Sequence, residues 1–172
     1  YDSNGGYLKS WGSSGSGPGQ FNLPHNICCD RSGTVYVADR ENSRVQIFDR
    51  NGKFLGQINN MHRPSGLALT SGPDPFLIIG ELASYQEVNK EFPNLGPFVS
   101  ILNCKGDLIH RIGENEQPGL LPGQFVSPHC IALDRVGGLY VGDVAETDWN
   151  QVFTKNIMKP SSIRRFQKFR VL

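Results

Sequence analysis

The 172-residue sequence lacks long hydrophobic runs, paired cysteines and an excess of charge of either sign. No apolar run approaches the roughly 18 residues that a membrane-spanning helix needs, so we expect no membrane segment. The net charge of +1 provides no overall attraction to nucleic acid or to a membrane surface, and we expect neither as a partner. None of the four cysteines belongs to a CxxC pair, which argues against a four-thiolate zinc site. We interpret them mostly as small buried hydrophobic residues, and they leave the redox compartment open.

A helical period is also missing over any long window, and alternation takes its place. In "TVYVAD", Val35 and Val37 share one face of a strand while Tyr36 and Ala38 share the other. Asn51-Gly52 marks a tight turn between two such strands. The 20 glycines and 11 prolines are spread along the chain rather than clustered. This pattern predicts many short strands joined by turns.

Comparison of the sequence with itself reveals a repeat. The segment "PGQFNLPHNICCDRSGTVYVAD" begins at Pro18, and "PGQFVSPHCIALDRVGGLYVGD" begins at Pro122, so the two copies are offset by 104 residues without a gap. A more degraded copy, "RPSGLALTSGPDPFLIIGE", lies between them and places Ser65 opposite His25. Units of about 40 to 50 residues with four short strands each are typical of β-propeller blades.

The predicted fold class is therefore all-β, a propeller of four-stranded blades. We assign residues 1–12 to the end of one blade and residues 18–58, 62–113 and 122–172 to three successive units. About three and a quarter blades do not close a ring, since propellers have four to eight. The chain is then either a fragment of a larger propeller, which we favour, or one of two chains that complete a ring. We expect the two open ends to expose apolar blade faces through which the chain could self-associate.

Two histidines, His25 and His129, occupy the same repeat position in different units. Equivalent positions in different blades converge on the propeller axis, so the two imidazoles are predicted to approach each other. A third imidazole would complete a zinc site with an open position for water or substrate. The alternative is that histidine simply recurs as part of the repeat. Ser65 shows that the position does not require histidine for packing.

Arg40 directly follows the strand-ending Asp39. A guanidinium at that end of a blade could bind a carboxylate through two parallel hydrogen bonds. The alternative is a salt bridge with Asp39 or Glu41. We predict that Arg44 and Asp49 hold the outer turn of the same blade.

Four aspartates repeat between the two best-preserved units, and repetition next to turns indicates Asx-turn hydrogen bonds rather than catalysis. They are Asp30, Asp39, Asp134 and Asp143. Two further histidines, His62 and His110, have no repeated context, and we interpret them as surface residues.

The stretch "GPGQFNLPHNICCDRSGTVYVADRENSRVQIFDRNGKF" resembles the NHL-repeat family of six-bladed propellers. Within that family it is most similar to the catalytic domain of the peptidyl-α-hydroxyglycine α-amidating lyases and their bacterial NHL-repeat relatives. The resemblance covers most of the chain and is strongest over residues 17–58 and 119–144. It implies a six-bladed ring around a central channel that takes a peptide or small-molecule ligand.

The same resemblance implies a zinc ion in that channel, held by three histidines, with an arginine and a tyrosine acting on the substrate. His25 in "LPHN" and His129 in "SPHC" fall on two of the zinc-ligand positions, and Arg40 in "ADREN" falls on the arginine position. The third histidine and the tyrosine would lie upstream of Tyr1, so the chain alone is expected to be inactive. The lyases cleave a C-terminal α-hydroxyglycine into a peptide amide and glyoxylate, and the resemblance implies a secretory compartment.

Two positions depart from the lyase pattern. Ser127 stands where the lyases carry a methionine, and Cys130 stands where they carry an aspartate tied to a structural calcium, which leaves the calcium site doubtful here. Two functions therefore remain open at this point. One is a part of a zinc-dependent lyase, and the other is a non-enzymatic propeller that binds a protein, a peptide or RNA.

Overall fold

The computed structural model describes residues 1–90, 92, 95–113, 117–153 and 157–170. The strands formed by these residues are β1 Ser13–Ser14, β2 Gln20–Phe21, β3 Pro24–Cys29, β4 Val35–Asp39, β5 Arg44–Phe48, β6 Phe54–Ile58, β7 Pro64–Leu69, β8 Leu77–Glu81, β9 Phe98–Leu102, β10 Leu108–Ile112, β11 Pro128–Leu133, β12 Gly138–Asp143 and β13 Phe166–Arg170. Two 3₁₀ helices span Arg40–Asn42 and Glu87–Asn89, and the α-helix α1 spans Ala145–Val152. No helix in this part of the chain has the length and apolar character needed to cross a membrane.

The strands assemble into three antiparallel sheets in which consecutive strands are neighbours. The first blade contains β3 to β6, the second contains β7 to β10, and the third contains β11 to β13. A separate parallel pair joins β1 to β2 just before the first blade. The predicted all-β fold with four-stranded blades is confirmed by the first two sheets.

The hydrophobic core lies between the blades. Leu77 and Ile79, on one face of β8, pack with Tyr36 of the first blade. Ile78, on the opposite face of β8, packs with Leu139 of the third blade. All residues of β8 are buried because successive side chains of a strand point to opposite faces, and here each face has another blade against it. The second blade is thus enclosed between its neighbours, as in a radially stacked propeller.

The outer face of the first blade is covered by the chain itself. Val35 and Val37 are buried there together with Phe48, and Phe21 packs against them. The Trp11 ring lies 6.1 Å from that of Phe48 and adds to the cover. This face is therefore not the exposed apolar surface that we expected at an open end.

Glycines allow the second and third blades to approach closely. A Cβ atom on Gly80 would lie 2.4 Å from the carbonyl oxygen of Pro128, and one on Gly66 would lie 2.7 Å from that of His129. Real Cβ atoms do not come so near a backbone oxygen, so these two positions admit only glycine without displacement of β11. The short distance between backbones brings the start of β11 against β7 and β8.

The third blade differs from the four-stranded unit predicted for residues 122–172. Its described part has three strands, and the chain between β12 and β13 forms helix α1. Trp149 of α1 packs in a cluster with Ala83 and Val126, which buries the inner side of the helix. Eight residues are too few for the helical period to stand out in the sequence.

The predicted Asx turns are confirmed at Asp30 and Asp134, and Asp49 holds the outer turn of the first blade, as predicted, through the same kind of hydrogen bonds. The Oδ1 atom of each accepts hydrogen bonds from the amides two and four residues ahead, at 2.6–2.9 Å. Asp2 and Asn103 form the same turn. One turn chemistry therefore recurs at five places along the chain.

For Asp39 and Asp143 the Asx-turn prediction is wrong. Both carboxylates are buried at the end of the second strand of a blade. Asp39 accepts the amide hydrogen of Asn22 at 2.7 Å, and Asp143 accepts that of Ser127 at the same distance, so each fixes the loop before the inner strand. Arg44 does not hold the outer turn either, because it is buried with its Nε 2.8 Å from Asp39.

The interpretation of the cysteines as buried hydrophobic residues is wrong for three of them. Cys29, Cys104 and Cys130 are exposed, and Cys28 is half-buried. All four are free thiols. Cys29 and Cys130 lie in the inner strands β3 and β11, and Cys104 lies in the turn between β9 and β10.

Candidate functional site

The inner strand of each blade begins in the same way. Its first residue, a proline, pairs with the acidic residue that ends the second strand, in the pairs Pro24–Asp39, Pro64–Glu81 and Pro128–Asp143. The register shifts directly after the proline in all three blades, which marks a β-bulge. A bulge leaves a residue outside the ladder and turns its side chain. His25 and His129 are the bulged residues of the first and third blades.

The two histidines meet although 104 residues separate them. Their ring centroids lie 4.5 Å apart, and the rings are nearly perpendicular at 80°. Strand β7 lies between β3 and β11 and contacts both. The residue of β7 at this level is the small Ser65, which is fully buried and donates its hydroxyl hydrogen to the carbonyl oxygen of Pro128 at 2.9 Å. The predicted convergence of His25 and His129 is therefore present.

One nitrogen of each imidazole already has a neighbour that orients the ring. Nδ1 of His25 lies 3.1 Å from the carbonyl oxygen of Ser65, and Nδ1 of His129 lies 3.6 Å from the sulfur of Cys130. A hydrogen bond from Nδ1 to a carbonyl fixes the ring and leaves Nε2 as the metal-binding atom in many zinc proteins. Nε2 of both rings is thus the candidate donor atom here.

The electrostatics favour a neutral imidazole at His129. Burial lowers the pKa of His129 below its ordinary value, and the nearby His25 and Arg40 lower it further, while Asp148 opposes them. A histidine must be neutral to bind a metal ion. The environment of His129 therefore supplies the protonation state that a ligand needs.

These residues fit part of a zinc site. Two imidazoles whose centroids are 4.5 Å apart are close enough to share one ion, since each zinc–nitrogen bond is about 2.1 Å long. No group of three or more metal-binding side chains occurs among the described residues, so the structure contributes two donors and a third would have to be added.

Arg40 lies at the same end of the blades as the two histidines. It opens the 3₁₀ helix after β4, and its charge acts on His129. Its Nε donates to Oε1 of Glu41 at 2.8 Å, so the salt bridge considered as the alternative role of Arg40 is present. The alternative partner, Asp39, is bound by Arg44 instead.

Sequence reasoning missed a polar cluster at this end. Arg63 donates from Nη2 to Oε1 of Glu41 at 3.1 Å and stacks on the ring of Tyr85 at 4.1 Å. The Tyr85 hydroxyl donates to Asp148, which also accepts the hydroxyl hydrogen of Ser127. The cluster spans three blades. Arg63 could have been noticed because it occupies the position before the inner-strand proline, where the other two units carry leucine and serine.

Glu81 and His62 form a second buried polar group beside the second blade. Glu81 is fully buried, and burial raises its pKa to about 7 although Ser100 and the amide of His62 donate to it. The Nδ1 atom of His62 lies 2.7 Å from the carbonyl oxygen of Leu82, so His62 is half-buried rather than the surface residue predicted. His110 is exposed on β10, as predicted.

A surface cavity lies next to this site, at the start of the first blade. It has a volume of about 750 Å³ and is bounded by residues 11–16, residues 21–24 and Asn42. Neither His25 nor His129 lines it. The cavity reaches Pro24, the residue directly before His25.

Antiparallel four-stranded sheets, stacked side by side with their first strands at the centre, define the class of β-propeller proteins. The sequence profile of the NHL repeat matches residues 21–48. NHL repeat-containing protein 3 from Homo sapiens is 33% identical over 156 residues, which are 87% of this chain and 41% of that protein. The chain belongs to the NHL-repeat family.

Two other relatives are enzymes of different types by name, a ubiquitin ligase and a monooxygenase. E3 ubiquitin-protein ligase TRIM32 from Homo sapiens is 35% identical over 75% of this chain and 17% of its own length. Peptidyl-glycine alpha-amidating monooxygenase B from Xenopus laevis is 28% identical over 83% of this chain and 16% of its own length. The chain thus spans about two fifths or less of these relatives.

Solved structures show the same fold at low identity. A protein of unknown function from Bacteroides caccae aligns with a TM-score of 0.54 and 15% identity over 84% of this chain and 44% of its own. Kuenenia stuttgartiensis hydrazine synthase aligns with a TM-score of 0.52 and 17% identity over 80% of this chain and 33% of its own.

Proposed function

We propose that this chain is part of an NHL-repeat propeller that holds zinc on its axis and cleaves peptidyl-α-hydroxyglycine to a peptide amide and glyoxylate. The observation that carries the proposal is the 4.5 Å approach of the His25 and His129 rings from two different blades. The 28% identity with an amidating monooxygenase over 83% of the chain supports it. A third ligand and the catalytic base would come from outside these 172 residues, and the lyase function would place the protein in a secretory compartment.

Each residue of the site has a role in this proposal. His25 and His129 bind the ion through Nε2, and the carbonyl of Ser65 keeps the His25 ring in place. A zinc ion held by these residues would supply Lewis-acid chemistry. Arg40 binds the carboxylate of the hydroxyglycine, because it directly follows Asp39, which pairs with Pro24 beside His25, and its guanidinium can donate two parallel hydrogen bonds.

The test uses the full protein in which this chain occurs, purified and analysed for zinc. We expect about one zinc per protein, and His25→Ala is expected to lower the zinc affinity and the release of glyoxylate by at least about 100-fold, because it removes a ligand. His110→Ala is the matched control, since His110 is exposed on β10. Equal zinc content and equal glyoxylate release in the two variants would reject the proposal.

A second candidate function is a binding scaffold without catalysis, for a protein, peptide or RNA partner. The specific observation in its favour is that the relatives with 33% and 35% identity are NHL repeat-containing protein 3 and an E3 ubiquitin-protein ligase, above the 28% of the monooxygenase. A protein that contains no zinc and releases no glyoxylate, yet retains a partner through the blade ends, would favour this function.

A further inference from the structure

One carboxylate oxygen bridges two guanidinium groups from neighbouring blades. Oε1 of Glu41 accepts a hydrogen bond from Nε of Arg40 at 2.8 Å and another from Nη2 of Arg63 at 3.1 Å. Arg40 belongs to the first blade, and Arg63 precedes the inner strand of the second. Glu41 balances only one of these two cations, and Asp148, the other carboxylate of the cluster, accepts hydrogen bonds from Tyr85 and Ser127 instead, so the pair of guanidiniums can attract a further carboxylate.

Arg63 is held in a fixed position. Its backbone has a φ of +46°, a left-handed conformation that costs energy for a long side chain. Its guanidinium stacks on Tyr85 at 4.1 Å and donates from Nη1 to the carbonyl oxygen of Ala83 at 3.4 Å. A guanidinium fixed in this way needs little further ordering when it binds a ligand.

Arg40 keeps part of its donor set available. Among the described residues it donates through Nε to Glu41, and no partner there takes up its two Nη groups. Its side chain is 19% exposed and that of Arg63 is 15% exposed, so both can be reached from solvent without being loosely solvated. Arg40 directly follows Asp39, which pairs with Pro24 next to His25, so an anion bound by Arg40 would lie at the same end of the blades as the histidines.

Glu41 is ionised at neutral pH. Partial burial by itself would raise the pKa of Glu41, but hydrogen bonds and charges from Arg63 and Arg40 lower it below its ordinary value. An ionised carboxylate with a 33% exposed side chain, placed between two guanidiniums, has the same chemistry as the carboxylate of an incoming ligand.

We propose that Arg40 and Arg63 form a two-arginine binding site for the terminal carboxylate of a short peptide, and that Glu41 occupies this site until the ligand displaces it. The inference rests on the proposed function for the position of the ligand beside the histidines. It adds Arg63 as a second carboxylate-binding residue and Glu41 as an internal competitor that sets the affinity.

The experiment measures binding to the full protein after its metal has been removed with a chelator, so that catalysis plays no part. The probe is a fluorescent tripeptide with a free C-terminal carboxylate, compared with the same tripeptide as a C-terminal amide, and acetate is added as a small competing carboxylate. We expect the acid to bind about tenfold or more tightly than the amide, because the amide cannot accept two charged hydrogen bonds.

Three substitutions test the direction in which each residue changes the affinity for the peptide acid. Glu41→Gln is expected to tighten binding of the acid by about fivefold to tenfold because it removes the competitor, and Arg63→Gln to weaken it by about tenfold. Arg50→Gln is the control, since Arg50 is exposed at the outer turn of the first blade. Damage to the fold would weaken binding, so tighter binding by Glu41→Gln cannot arise from misfolding.

Several results would overturn the inference: equal affinity for acid and amide, no binding of either, or weaker binding in Glu41→Gln. Competition by acetate alone, without preference for the peptide acid, would also overturn it by identifying a small anion as the ligand. A clear preference for the acid in a protein that releases no glyoxylate would support the two-arginine site while rejecting the lyase function.

Discussion

Replacement of Asp39 by asparagine should destabilise the first blade strongly, because this carboxylate is the centre of a buried polar network. Asp39 is fully buried. It accepts hydrogen bonds from the Asn22 amide at 2.7 Å, from Nδ2 of Asn42 and Nε of Arg44 at 2.8 Å, and from Nε2 of Gln46 at 3.0 Å. The network joins the loop before β3 to the ends of β4 and β5.

The magnitude follows from the charge left behind. Asparagine keeps the size of Asp39 but removes its charge, and its NH₂ group would face other donors. Arg44 is only 5% exposed, so its guanidinium would become a buried cation without a counter-ion. Breaking a buried ion pair from one side costs about 3–5 kcal/mol, and we expect Asp39→Asn to lose about that much stability.

Asp143→Asn is the matched control at the same position of the third blade. Asp143 accepts hydrogen bonds from two backbone amides, those of Val126 and Ser127. Burial raises the pKa of Asp143, so its neutral form is less costly. We expect this substitution to lose about 1–3 kcal/mol, the cost of weakened hydrogen bonds in a buried site.

The assay is unfolding in urea, monitored by tryptophan fluorescence. The dependence of the unfolding free energy on urea concentration is compared between each variant and the native protein. The expected result is a lower midpoint for Asp39→Asn than for Asp143→Asn. In the Asp39→Asn background, Arg44→Met should recover part of the loss because it removes the unpaired charge. Equal losses at Asp39 and Asp143, or no recovery by Arg44→Met, would refute the reasoning.

Two further predictions concern the second blade. Burial raises the pKa of Glu81 in the folded protein to about 7, from an ordinary value of 4.5. The folded state therefore binds the proton more tightly, so stability should fall by roughly 3 kcal/mol as pH rises from about 4.5 through 7, and urea unfolding of Glu81→Gln should lack this fall. Gly80→Ala should lose about 1–3 kcal/mol in the same assay because its Cβ would meet the Pro128 carbonyl at 2.4 Å, whereas Gly56→Ala, with open space around it, should change little. An unchanged pH slope in Glu81→Gln, or equal effects of the two alanines, would contradict these predictions.

Most of the fold could be predicted because blades repeat. The 104-residue offset places His25 opposite His129 and Asp39 opposite Asp143, and the structure gives each pair the same strand and the same register. Helix α1 was not predicted, since the third unit departs from the repeat after Asp143. A helix of eight residues spans too few turns for its hydrophobic period to be detected in the sequence. Its position depends on the packing of Trp149 against neighbouring blades.

The composition of the candidate site and the approach of its two histidines were predictable, and its other contacts were not. Repetition singled out His25 and His129, and the end of β4 singled out Arg40. Arg63 carries no repeated context, and its contact with Glu41 joins residues that are 22 positions apart. Such a contact depends on how two blades stack, and local sequence patterns do not predict it.

The sequence by itself determined the blade as the repeating unit, its strand order, its turns and the residue types at the inner strand ends, because these depend on alternation and on local hydrogen bonds. The repeat also predicted that His25 and His129 approach each other, but only the tertiary structure decided the geometry of that approach and which other residues meet. The 4.5 Å approach of His25 and His129, and the bridge of Glu41 between Arg40 and Arg63, arise from bulges and from the stacking of blades around an axis. Burial in the folded chain also decided the protonation of Glu81, whose pKa is raised to about 7 because its carboxyl group is removed from solvent.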